Sequence, residues 1–209
     1  PLAVIDGNVK LIKKKLENKK FDKQFETVLK SISRIQKIVS GLKKFSRTSS
    51  ELNFNKVTPQ KIVEETRELI SSKAANVGVK IETSVAGPCD EILCDEIQLE
   101  QVLVNLVNNA IDAHEGEENA WVRIESGNNQ SGCFFRVSDS GTGISQEVLE
   151  NIFDPLYTTK DLGKGTGLGL SISKTIIESH GGEISYELYK GNTSFLVTLP
   201  LKAAIKAAG

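Results

Sequence analysis

Asn105-Leu106-Val107-Asn108-Asn109-Ala110 is the stretch on which the reading of this chain turns. It lies within Asp95 to Ala113, where Ile97, Val102, Leu106, Asn109 and Ala113 recur at the turn-by-turn spacing of one helix face. Asn105 and Asn109 are four apart, so their amides project from the same side. Asn is mildly unfavourable inside a helix, and two inside an apolar stripe need a reason. Two reasons are open: a pair of satisfied buried amides, or hard neutral oxygens suited to Mg2+ beside phosphates.

Three further segments follow. Asp139-Ser140-Gly141-Thr142-Gly143 comes directly after a predicted strand, Cys133 to Ser138. An acid at a strand end followed by glycines lets backbone approach a ligand closely, and its carboxylate can accept from an exocyclic amine such as that of adenine. A simple turn would carry the same residues. Then come Phe153-Asp154-Pro155-Leu156-Tyr157-Thr158-Thr159-Lys160 and Gly163-Lys164-Gly165-Thr166-Gly167-Leu168-Gly169-Leu170. Glycines just before a helix expose N–H groups to an anion, and Lys160 and Lys164 add positive charge nearby. So long an irregular stretch reads as a lid or as disorder. The run does not follow a strand, as a dinucleotide fingerprint must, and no GxxxxGK[ST] loop is present. Both commoner nucleotide folds are therefore disfavoured.

Outward from these segments the chain alternates in texture. Phe54 to Thr58 is strand-like, Pro59 opens a helix through about Asn76, and Val79 to Val85 alternates as a strand. Trp121 to Ser126 and Cys133 to Ser138 are strands, Gly169 to Ser179 is a helix stopped by Gly181-Gly182, and Glu183 to Leu188 and Thr193 to Leu199 form a last hairpin. Strands that are mostly neighbours, with helices between some of them, predict an α+β sandwich with helices on one face of a mixed sheet.

The first 50 residues differ. They hold 13 Lys+Arg and 4 Asp+Glu, a net of +9, while residues 51–209 carry −10, so the overall −1 hides two surfaces. Leu2, Ile5, Val9, Ile12 and Leu16, then Phe25, Val28, Ile32, Ile35, Val39 and Leu42, step by threes and fours. That spacing predicts a helical hairpin with a bundle seam, turning at 17–22 with Asp22 as a cap and ending at Arg47-Thr48-Ser49-Ser50. Two such helices bury their stripes best as half of a dimeric four-helix bundle. The lysines flank these apolar heptads, so the positive charge reads as a solvated helix face rather than a nucleic-acid surface. The domains are thus 1–50 and 51–209.

Composition excludes other classes. At 209 residues and 39% hydrophobic content the chain can build a core, which rules out collagen and a mainly disordered chain. No apolar run approaches the roughly 18 residues of a membrane span, no secretory leader opens the chain, and the expected setting is cytoplasmic. Cys89, Cys94 and Cys133 form no paired CxxC and read as reduced thiols. The absence of Met fits a trimmed initiator or a chain cut from a longer protein.

Taken together and in order, the four segments resemble the N, G1, F and G2 boxes of the GHKL ATPase superfamily, and most closely the catalytic domain of two-component sensor histidine kinases. The likeness covers residues 51–200. Asp95 to Leu103 resembles the lead-in to the N box, Thr193-Ser194-Phe195 with Leu199-Pro200 the closing strand, and the preceding hairpin the dimerisation and phosphotransfer domain. The resemblance implies Mg2+ on Asn109 and Asn105 on the phosphate side. It implies Asp139 on the adenine amine, Gly141 and Gly143 leaving room for the base, and Phe153 anchoring the lid. Gly165, Gly167 and Gly169 would wrap the triphosphate. Asp112, Thr158, Thr159, Lys160, Lys164, Thr166 and Leu168 complete the expected ATP-binding set.

Gyrase, chaperone and mismatch-repair relatives place a Glu at the position of Asn105 as general base for water. An amide cannot take that proton. The resemblance therefore implies phosphoryl transfer by positioning and charge stabilisation, to a His and then to an Asp of a response-regulator receiver domain. A hydrolysing ATPase and a scaffold with a vestigial nucleotide site are the rivals. Pro1-Leu2-Ala3-Val4-Ile5 is similar to the segment just after the family's acceptor motif, which would put the acceptor about five residues before Pro1. This fragment is then expected to bind ATP without labelling itself. His114 and His180 are expected to serve structure or surface. Lys13, Lys14 and Lys15 are candidates for recruiting the acidic regulator.

Overall fold

The computed structural model describes residues 2–16, 21–29, 31–32, 35, 39, 53–87, 91–129, 132–161 and 165–200. The expected linker at 47–50, Cys89, Gly163, Lys164 and most of the second hairpin helix lie outside them.

Helix α1 spans Leu2–Leu16, and residues 22–29 are helical too. Lys13 reaches Asp22 and Glu26, each at 3.8 Å, so these two segments run side by side. Val4, Ile5, Leu11 and Ile12 stay exposed on α1.

Next come strand β1 (Asn55–Val57), helix α2 (Pro59–Asn76), and strands β2 (Lys80–Ala86) and β3 (Ile92–Cys94). Helix α3 spans Glu96–Ala113, followed by β4 (Trp121–Asn129) and β5 (Gly132–Asp139). A short α4 (Gln146–Leu149), then α5 (Gly169–Ser179), β6 (Glu183–Tyr189) and β7 (Asn192–Leu199) complete the order. The five-stranded sheet runs β2-β4-β5-β7-β6. Only β2 with β4 is parallel; the other pairings are antiparallel, so the sheet is mixed as expected.

The helices pack on one face of this sheet. Ile62, Val63, Leu99, Leu103, Leu106, Ile111, Ile176 and Ile177 meet Val122, Ile124, Phe135 and Val197 in one continuous core. Burying each such side chain is worth about 1.5–3 kcal/mol before chain entropy is charged against it. On the opposite face, charges pair across strands. Arg123 on β4 donates to Glu82 on β2 at 2.7 Å. Arg136 on β5 reaches over β7 to Glu187 on β6 at 2.7 Å, and its guanidinium lies 3.9 Å from the Tyr189 ring centroid.

Strand β3 and helix α4 were not expected. The first is three residues long and pairs with β1 in a separate two-stranded sheet. It buries Ile92 and Cys94, and burial pushes the Cys94 thiol up to about 12, so that sulfur is inert. Asp95 then caps α3. Its Oδ1 accepts from Gln98 N–H at 3.1 Å and its Oδ2 from Asn53 N–H at 3.2 Å. His180, at the end of α5, locks the same junction. Its Nε2 accepts from the Asp95 N–H at 3.0 Å, and its Nδ1 donates to the Ile176 carbonyl at 2.8 Å.

Candidate nucleotide-binding site

Helix α3, the end of β5, the start of β7 and residues 157–160 and 165–170 line a cavity of about 690 Å3. The 3.6-residue period of α3 gives it two faces. Leu99, Leu103 and Leu106 go into the core, while Asn105, Asn108, Asn109 and Asp112 line the cavity. Both asparagines have protein partners. Asn105 is a satisfied amide, donating to Ser173 Oγ on α5 at 3.0 Å. Asn109 presents its Oδ1 to a cation, accepting from Lys160 Nζ at 3.1 Å.

The lid lysine also reaches Asp112 Oδ2 at 2.7 Å, and Lys73 on α2 binds Asp112 Oδ1 and Asn108 Oδ1, the latter at 2.8 Å. Burial alone would raise the Asp112 pKa, but the hydrogen bonds from Lys160 and Lys73 outweigh it and hold this carboxyl below its ordinary range. Lys73 was missed from sequence. It sits 35 residues from Asn108, in a helix whose polar positions look like any solvated face.

At the other end Asp139 is buried at 6% exposure, with both protein hydrogen bonds on Oδ1. Gly141 N–H donates to it at 2.8 Å, and His114 Nε2 lies 2.9 Å away. No protein partner meets Oδ2 among the described residues. Gly141 is a glycine because a Cβ there would stand 2.7 Å from Asp139 Oδ1, 3.0 Å from Thr193 Oγ1 and 3.2 Å from His114 Cε1. Thr193, which also lines the cavity, accepts from Gly143 N–H at 3.0 Å, tying β7 to the glycine turn.

The lid glycines make room for protein rather than only for a ligand. Gly167 has φ +68°, and a Cβ would fall 2.3 Å from the Leu156 backbone, whose N–H donates to Gly167 O at 2.8 Å. A Cβ at Gly165 would strike Thr158 Oγ1, and one at Gly169 the Asn105 amide. These contacts fold 156–158 against 165–169 and set the start of α5 beside Asn105. Thr158, Thr159, Thr166, Gly143 and the lid glycines all line the cavity.

Two expected binding residues stand behind its wall instead. Phe153 packs edge-on against Phe195, 6.4 Å between centroids, and Leu168 is core, 5% exposed. His114, expected as structure or surface, is buried and lines the cavity. His180 is structural, as described above.

Open to solvent on one side, the cavity thus has a carboxylate with glycines at one end and amides, lysines and an oncoming helix N-terminus at the other. That is an arrangement for a nucleotide. The chain belongs to the family of histidine kinase-, DNA gyrase B- and HSP90-like ATPases, whose pattern matches residues 94–203. Within that family, the proteins it is similar to include sensor histidine kinases.

It is 30% identical over 203 residues to sporulation kinase E of Bacillus subtilis, covering 97% of this chain and 27% of that protein. To sporulation kinase A of the same organism it is 32% identical, over 97% of this chain and 32% of the relative. The chain therefore spans about a third of the length of these relatives. Among solved structures, full-length ShkA in complex with AMPPNP matches with TM-score 0.71 at 25% identity, over 90% of this chain and 40% of that one. Histidine kinase ThkA in complex with response regulator protein TrrA matches with TM-score 0.70 at 26% identity, over 96% and 57%.

Proposed function

We propose that the cavity holds ATP with its adenine on Asp139 and its phosphates between Asn109, Lys160 and the start of α5, and that the γ-phosphoryl group goes to a histidine rather than to water. One observation carries the choice of transfer over hydrolysis. Among the described residues, the only carboxylates lining the cavity are Asp112 and Asp139. Asp112 is held by two lysines and Asp139 lies at the base end, so neither is placed as a general base for water at the phosphates. At the point where hydrolysing relatives are expected to carry a Glu stands Asn105, fixed on Ser173.

The donor set suits Mg2+. No group of three or more His, Cys, Asp or Glu among the described residues could hold a metal alone. A hard cation that keeps its waters and leans on phosphates needs only an oxygen such as Asn109 Oδ1. Lys160 now holds that oxygen and would turn to the phosphates. When bound, the ion would neutralise phosphate charge; the chain's residues orient the nucleotide and exclude water.

Neither histidine of this chain is the acceptor. His114 and His180 are 6% and 4% exposed and engaged on both ring nitrogens. The acceptor belongs to a helical hairpin, and the proposed downstream partner is a receiver domain, as the complex of ThkA with its regulator supports. The apolar stripe left bare on α1 is covered by a second copy. No helix among the described residues is long and apolar enough to cross a membrane. Incubation with γ-labelled ATP tests the reading. The chain alone should give no acid-labile phosphohistidine and only background phosphate release, and it should label an added hairpin that carries an acceptor His. Steady phosphate release would contradict it.

A further inference from the structure

His114 is a buried titratable group that phosphoryl transfer does not itself require. It ends α3, with its N–H bonded to Ile111 O, and its ring stands between two carboxylates. Nε2 is 2.9 Å from Asp139 Oδ1, and Nδ1 is 2.7 Å from Glu117 Oε2. Carboxylates only accept, and a neutral imidazole has a single N–H. A neutral ring would therefore set a lone pair against one of the two acids. Both contacts are hydrogen bonds only when both nitrogens carry protons.

The surroundings agree. Asp139 faces the ring from β5 and Glu117 from the turn after α3, and uncharged Gly141 lies so close that a Cβ there would be 3.2 Å from the ring's Cε1. Burial opposes the charged ring, yet the hydrogen bonds to Asp139 and Glu117 outweigh it and raise the His114 pKa above its ordinary value.

We propose that His114 is the positioning residue of the nucleobase carboxylate: as an imidazolium bridging Asp139 and Glu117, it fixes Asp139 by Oδ1, leaves Oδ2 for the adenine amine, and makes adenine-nucleotide affinity depend on its own protonation. This rests on the reading of Asp139 as the adenine contact. Gly141 serves the same purpose from the other side, since its N–H shares Oδ1 with the ring and its missing Cβ lets the three groups converge. When the ring loses its proton, one bridge is lost and Asp139 is held by Gly141 and a single neutral donor. Glu117 is exposed and bonds His114 from outside the cavity, so it acts on the base only through the ring. Binding and protonation are reciprocal: if protonated His114 favours ADP, bound ADP must raise the His114 pKa.

The test is ADP calorimetry from pH 6 to 8.5 on the whole chain, for wild type, His114→Gln and Glu117→Gln, with NMR of the His114 ring with and without ADP. Comparison with His114→Gln removes the titration of the nucleotide's own phosphates. Wild type should lose roughly threefold to tenfold in affinity, relative to His114→Gln, as pH rises through the His114 transition. Glu117→Gln should fold as wild type and move that transition to lower pH, and ADP should raise the ring's pKa. Superimposable profiles for wild type and both variants, with a ring pKa indifferent to ADP, would overturn the proposal while leaving the ATP site standing. Failure of wild type to bind ADP at any pH would remove both.

Discussion

Two histidines show how much a single residue's environment decides. His180 must be neutral, because its Nε2 accepts a backbone N–H; burial lowers its pKa from the ordinary 6.5. His114 is held charged between two acids, with its pKa raised. Their contributions to stability run in opposite directions. A lowered folded pKa gives stability that is present above the unfolded value and lost as pH falls below it. A raised one gives stability present below the unfolded value and lost as pH rises through the folded one. Urea midpoints between pH 7.5 and 5.5 should therefore fall on the acid side more steeply in wild type than in His180→Gln, by at most about 1.4 kcal/mol per pH unit. Equal slopes would show that His180 does not titrate with unfolding. Asn105, Asn109 and Asp139 were legible in the sequence because amides in an apolar helix and an acid before glycines break local rules. His114 was not, since its partner Asp139 lies 25 residues away on another element. Lys73 was hidden in the same way.

At the scale of elements, helix boundaries were read closely where the chain punctuates itself. Pro59 opens α2, and Gly181-Gly182 ends the α5 segment at Ser179. Strand β3 was missed because three residues give no alternation to count, and α4 because one turn gives no period. Both are fixed by tertiary contact: β3 by pairing with β1, α4 by its place beside the cavity. Gly167 is required by the Leu156 backbone lying against it, a contact that leaves no mark in the local sequence. On α1, Ile5 and Ile12 lie on one stripe and are each 48% exposed. If a second copy covers them, sedimentation should show a concentration-dependent dimer, and Ile5→Lys with Ile12→Lys should give monomers whose nucleotide affinity is unchanged. A chain that stays monomeric at any concentration would contradict the bundle.

For the molecule as a whole, the charge split seen in composition sets a basic first 50 residues against an acidic remainder, and the residues lining the cavity all belong to the remainder. The sheet carries Asp139 at the end of β5 and Thr193 at the start of β7. The helix layer carries the amides, and residues 157–160 and 165–170 line the cavity beside both. The central claim is that Asp139 reads adenine there. Calorimetry of Mg-AMPPNP on wild type and Asp139→Asn tests it most directly. The asparagine keeps the Oδ1 acceptor for Gly141 and His114 but turns a donor toward the adenine amine, so the variant should fold as wild type by circular dichroism. The account predicts one nucleotide per chain for wild type and a loss of roughly a hundredfold or more in the variant. Unchanged affinity in a folded Asp139→Asn would contradict it.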